Sequence, residues 1–117
     1  MARILLVDDD DDGVAIRQLV LERLGHEVST ATDCATARRQ FKARPPEIVI
    51  MDLRLPDEGD GAALIRDFRD TNPKCRIIVL SGATGDLKGQ PEAAMVDTVL
   101  RKPAKTERLV NAISKLA

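Results

Sequence analysis

Short apolar runs punctuate the chain at Ile4–Val7, Val28–Ala31, Ile48–Met51, Ile77–Leu80 and Val99–Leu100, at intervals of roughly 20 to 30 residues. They are continuous rather than alternating, the pattern of strands covered on both faces in a parallel sheet. Between them the apolar positions fall at spacings of three and four: Val14, Ile16, Leu19, Val20 and Leu24; Cys34, Ala37 and Phe41; Leu64, Ile65 and Phe68; and Leu109, Val110, Ile113 and Leu116. Such spacing predicts helices with one face packed on a sheet. Gly25 supplies the C-terminal stop of the first. In the interval from Gly82 to Met95, Gly85, Gly89 and Pro91 break any helix longer than about two turns, so a short or mobile fourth helix is expected there.

The predicted order is βαβαβαβαβα. Strands alternating with helices imply a parallel sheet with right-handed crossovers and helices on both faces. The fold class expected is a single-domain α/β (βα)5 architecture, a doubly wound, flavodoxin-like parallel five-stranded sheet with strand order 2-1-3-4-5. At 117 residues the chain reads as one domain, residues 1–117. With 44% hydrophobic and 32% charged residues its composition is that of an ordinary globular protein. No apolar run approaches the ~20 residues of a membrane helix, and the start carries no signal-peptide core, so a cytoplasmic location with no membrane partner is expected.

Charge narrows the chemistry further. Eighteen basic against nineteen acidic residues leave a formal charge of −1, which argues against direct nucleic-acid binding. Cys34 and Cys75 lack metal-ligand spacing and are expected to be reduced. The single histidine, His26, excludes Zn sites and Ser-His-Asp chemistry and is assigned a structural role at the start of the second strand.

In an open parallel sheet, ligands bind beyond the carboxyl ends of the strands. The first strand ends in Asp8-Asp9-Asp10, the third in Asp52, the fourth in Ser81-Gly82 and the fifth in Arg101-Lys102-Pro103. The run Asp8–Asp12, taken alone, reads as a solvated acidic loop. Carboxylates converging on one edge instead call for a cation. An all-oxygen donor set with no His or Cys nearby favours a hard ion, Mg2+. Ser81 and Lys102 then suit phosphoryl oxygens, and Asp52 suits the role of a nucleophile that accepts a phosphoryl group.

Four segments in order, Ile4-Leu5-Leu6-Val7-Asp8-Asp9-Asp10, Ile48-Val49-Ile50-Met51-Asp52-Leu53-Arg54-Leu55-Pro56, Ile77-Ile78-Val79-Leu80-Ser81-Gly82 and Leu100-Arg101-Lys102-Pro103, resemble the CheY-like receiver domain of two-component response regulators over the whole chain. The resemblance implies that Asp52 receives phosphate from a histidine kinase or a histidine phosphotransfer protein and that the change alters binding of a downstream effector protein. It implies that Asp9 ligates Mg2+ directly, that Asp8 acts mainly through water, and that the backbone carbonyl of Arg54 joins Asp52 as a ligand. Ser81 would bind a phosphoryl oxygen, Lys102 would pair with the phosphate, and the Lys102-Pro103 peptide would be cis. Turnover is confined to Asp52 itself, so the chain is not expected to be an enzyme in the usual sense. Self-association as a homodimer is compatible with this reading.

Three positions depart from the family pattern. Val99 stands where an aromatic side chain commonly rotates on activation, and a stiff β-branched residue has no ring to swing. Ala104 follows Lys102-Pro103 where an aromatic is common, and the loop Pro56–Gly61 is one residue longer than the commonest form. With Val99, output is expected to depend on ordering of the 82–95 region. Two alternatives stand beside the receiver reading: a degenerate receiver used as a phosphorylation-independent docking module, and a haloacid-dehalogenase-like phosphatase with Asp8 as nucleophile. The second requires an acidic motif after the lysine, where this chain offers only Glu107.

Overall fold

In the computed structural model, which describes residues 2–52, 60–81, 91–101 and 105–116, every apolar run is a strand: β1 (Arg3–Val7), β2 (Glu27–Ala31), β3 (Ile48–Asp52), β4 (Arg76–Ser81) and β5 (Thr98–Arg101). All pairings are parallel, in the order β2-β1-β3-β4-β5, which is the order expected for a flavodoxin-like sheet. Among the described residues, four α-helices follow strands 1, 2, 3 and 5: α1 (Asp11–Arg23), α2 (Cys34–Ala43), α3 (Asp60–Thr71) and α4 (Thr106–Leu116). In the Gly82–Met95 interval the described part is a 3-10 helix, Pro91–Met95, instead of an α-helix. Residues 82–90 lie outside the described residues. Asp60 and Gly61, expected in the loop after β3, are the first two residues of α3.

Alternation along the strands sorts the core into two halves. Leu5, Val7, Val49, Met51, Ile77 and Val79 face α2 and α3 and pack with Ala37, Phe41, Leu64, Ile65 and Phe68. The intervening residues Ile4, Leu6, Ile48, Ile50, Ile78 and Leu80 face the other way, onto Leu21 of α1 and Leu109, Ala112 and Ile113 of α4. β3, at the centre, is buried at all five positions, whereas the edge strand β5 exposes Val99. The Phe41 and Phe68 rings stack with centroids 4.4 Å apart, an arrangement worth about 1 kcal/mol beyond its buried area.

Helix α1 corrects one expectation. Its buried residues are Val14 and Leu21, while Ile16, Leu19 and Leu24 are exposed. Successive residues turn by about 100° on a helix, so Val14, Arg17, Gln18 and Leu21 share one face and Ile16 and Leu19 lie opposite. Counting apolar residues at local spacings of three and four assigned the wrong face. The helix stops where expected: Gly25 takes φ 95°, a left-handed conformation that suits glycine, and its N–H bonds to the Glu22 carbonyl at 3.0 Å. In α2 the Asp33 side chain caps the helix by accepting from the Thr36 N–H at 2.7 Å. That bond holds the Asp33 carboxyl below its ordinary value.

The amino ends of the strands are tied together by contacts to the backbone. His26 precedes β2 and its Nδ1 accepts from the Ala2 N–H at 3.0 Å, the structural role expected of it. Arg3 Nε donates to the Pro45 carbonyl at 3.0 Å. From the end of α3, Arg69 donates to the carbonyls of Pro73 (2.8 Å), Cys75 (2.6 Å) and Met95 (3.2 Å from Nε) and pairs with Asp97 at 3.2 Å. Asp97 in turn accepts from the Ile77 N–H at 2.8 Å. Neither cysteine is in a disulfide; Cys34 is half-buried and Cys75 buried.

Candidate functional site

The opposite, carboxyl edge of the sheet carries the acids. Register brings them together: Val7 pairs with Met51, so Asp8 leaves β1 beside Asp52, the last residue of β3. Asp52 pairs with Leu80, and Ser81 with Arg101. Ser81 therefore ends β4 one residue beyond the level of Asp52, and the residue after Arg101 is Lys102. The expected convergence of strands 1, 3, 4 and 5 on one edge is present in the backbone. Lys102, Arg54, the Lys102-Pro103 peptide and Ala104 lie outside the described residues.

Asp8, Asp9 and Asp52 each offer a carboxylate oxygen within 4.8 Å of the others. Asp8 and Asp52 are buried, at 4% exposure apiece, and are the only buried charged residues among those described. Asp9 is exposed. Burying carboxylates side by side is unfavourable unless donors or cations compensate them. Asp8 has two such partners: its Oδ1 accepts from the Asp10 N–H at 3.0 Å, and its Oδ2 is paired with Arg17 Nη1 at 3.0 Å. Its own N–H is held by the Ala31 carbonyl at 3.0 Å, fixing the turn out of β1. Helix α1 begins immediately afterwards, and the positive end of its dipole lies next to the acids.

The Asp9 carboxyl is raised above its ordinary value. Its partial desolvation contributes most, followed by the hydrogen bond and charge of Asp8 and the charge of Asp52; its own backbone N–H acts in the opposite direction. Water reaches Asp9 and limits how far the shift can go. A group of close carboxylates with one ionisation disfavoured is a site that gains from a cation. The donors are all hard oxygens, which fits Mg2+ and does not fit zinc or copper.

Arg17 was not singled out in the sequence. The available signal was a charged residue three positions after Val14 and four before Leu21, on the face of α1 that turns inward. Glu107 lies exposed in the first turn of α4.

Comparison with known proteins agrees with this geometry. The model of the response regulator receiver domain family matches residues 4–114. The photosynthetic apparatus regulatory protein RegA of Cereibacter sphaeroides is 33% identical over 112 residues, which cover 94% of this chain and 60% of RegA. The response regulator receiver protein CpdR of Brucella abortus is 32% identical over 117 residues, covering 99% of this chain and 97% of CpdR. The chain thus spans little more than half of one relative and nearly all of the other. Among solved structures, a response regulator receiver domain protein from Clostridium thermocellum superposes with a TM-score of 0.85 at 29% identity, over 99% of this chain and 94% of that one. The chemotaxis response regulator CheY4 of Vibrio cholerae gives 0.88 at 25% identity, over 100% and 99%. By sequence match, strand order and acidic edge together, the chain belongs to the response regulator receiver domain family.

Proposed function

We propose that residues 1–117 form one receiver domain in which Asp52 accepts a phosphoryl group from a histidine kinase or histidine phosphotransfer protein, with Mg2+ bound by Asp8, Asp9, Asp52 and the carbonyl of Arg54. The observation that carries this reading is the burial of Asp52 at the carboxyl end of the central strand, with its carboxylate oxygen within 4.8 Å of those of Asp8 and Asp9. The sheet fixes the backbone from which that carboxylate emerges, which limits the positions the nucleophile can take. When bound, Mg2+ supplies the positive charge that lets the acids and an incoming phosphoryl group share the site.

An Asp52 oxygen attacks phosphorus as the P–N bond of the donor imidazole breaks. The electron pair of that bond returns to the ring nitrogen, which takes a proton from solvent. Ser81 and Lys102 are assigned to the phosphoryl oxygens, as donors that favour charge on the transferred group. Hydrolysis of the acyl phosphate by water restores the Asp52 carboxylate and releases phosphate. The domain turns over no separate substrate, and its output is altered affinity for an effector protein, with a homodimer as one form that output can take. Cytoplasmic residence is part of this proposal; no helix among the described residues is long and apolar enough to cross a membrane.

Intact-mass measurement after treatment with acetyl phosphate and Mg2+ tests the assignment. One phosphoryl group should be added, should map to Asp52, and should be absent with a chelator or in Asp52→Asn. Labelling that persists in Asp52→Asn overturns the choice of acceptor. No labelling in the unaltered chain favours the docking-module alternative.

A further inference from the structure

We propose that Arg17 is a resident counter-ion of the acidic site, one that a divalent cation must displace from Asp8 or bind against. This inference rests on the metal-site reading above and concerns how that site is tuned.

Arg17 lies on the inward face of α1 between Val14 and Leu21, where an apolar side chain would complete the packing stripe. Its side chain reaches out of that stripe to Asp8, with Nη1 3.0 Å from Oδ2. Both ends are substantially removed from water, at 19% exposure for the Arg17 side chain and 6% for that of Asp8. A charge-assisted bond in such surroundings is less screened than one at the surface. The other oxygen of Asp8 is already taken by the Asp10 N–H, so both oxygens of this carboxylate have protein donors. A cation drawn to Asp8 and Asp9 meets the guanidinium charge at the same carboxylate.

Two consequences of opposite sign follow. Without metal, Arg17 stabilises the fold by offsetting the charge of buried Asp8. With metal, the same charge opposes binding and sets the affinity lower than the acids alone would give. An arginine that merely filled space would, when removed, weaken both properties together.

The experiment uses the full chain and its Arg17→Met, Arg17→Gln and Arg17→Lys variants. Methionine keeps the length and helix preference of the stem without the charge. Mg2+ binding is measured by titration calorimetry, and thermal unfolding is followed by circular dichroism in chelator. Arg17→Met should melt about 3–6 °C lower in chelator yet bind Mg2+ about tenfold more tightly, the scale of one opposing charge partly shielded by solvent. Arg17→Gln should follow it if methionine disturbs folding, and Arg17→Lys should stay near the unaltered chain in affinity. Equal or weaker Mg2+ binding by the folded neutral variants overturns the role of Arg17 while leaving the metal site intact. No Mg2+ heat in the unaltered chain or any variant overturns the metal site and this proposal with it.

Discussion

Replacing Asp9 with asparagine should make the metal-free protein more stable while removing its response to Mg2+. The three carboxylate oxygens lie within 4.8 Å of one another. At that separation a pair of unit charges repels by about 1 kcal/mol in bulk water and about 3.5 kcal/mol at an effective dielectric of 20. Asp9 is exposed, which places it toward the lower value, and Arg17 offsets part of the charge of Asp8. A net gain of about 1 kcal/mol is therefore expected for Asp9→Asn at neutral pH, or about 3–5 °C in the melting temperature for a domain of this size. The pH dependence follows from linkage. The folded-state value of the Asp9 carboxyl is raised, so the folded protein holds this proton at pH values where the unfolded chain has released it. Stability is lost as pH rises from the ordinary carboxylate value through the raised one, and the full penalty persists above it. The advantage of the variant should accordingly vanish below about pH 4 and be complete at neutrality. Denaturant unfolding of both proteins across this range, in chelator and again in Mg2+, is the assay. Magnesium should reverse the order by stabilising only the unaltered chain. If Asp9→Asn is no more stable than the unaltered protein in chelator at neutral pH, the repulsion argument is wrong.

Other substitutions probe the scaffold. Arg69→Met removes the donors to Pro73, Cys75 and Met95 and the pair with Asp97, and should cost about 3 kcal/mol in denaturant unfolding; a loss below about 1 kcal/mol would make this network incidental. Leu21→Ala should cost about 2–4 kcal/mol by opening a cavity, whereas Ile16→Ala should cost under about 0.5 kcal/mol, and equal costs would contradict the observed orientation of α1. Burial pushes the Cys75 thiol up to about 11, so the folded protein keeps a proton that the unfolded chain releases near its ordinary value. Between about pH 8 and about pH 10.5 the unaltered chain should lose about 2 kcal/mol more stability than Cys75→Ala; parallel profiles would refute the burial argument.

The strands were legible because a parallel sheet buries both faces and so writes each strand as an unbroken apolar run; Ile48–Met51 admits no other reading at that length. The clustering of Asp8, Asp9 and Asp52 was legible for the same reason, since these acids follow such runs. The inner face of α1 was not. Ile16, Leu19 and Leu24 mimic a buried stripe by local spacing, and only the phase of the whole helix, set by Val14 and Leu21, separates inside from outside. Arg17 went unnoticed because a count of apolar positions passes over a charged residue that shares the inner face with Val14 and Leu21. The 3-10 geometry of Pro91–Met95 lay within an interval whose glycines and prolines signalled a broken helix without specifying its type.

The anchoring of the strands' amino ends by His26, Arg3, Arg69 and Asp97 has a further implication. These ties grip main-chain atoms at the end of the sheet remote from the acids. The two rims thus differ in kind: one is held by side-chain bonds to the main chain, and the other carries three close carboxylates. In the receiver reading proposed above, a change of charge at the acidic rim would leave these ties untouched, because none of them reaches Asp8, Asp9 or Asp52.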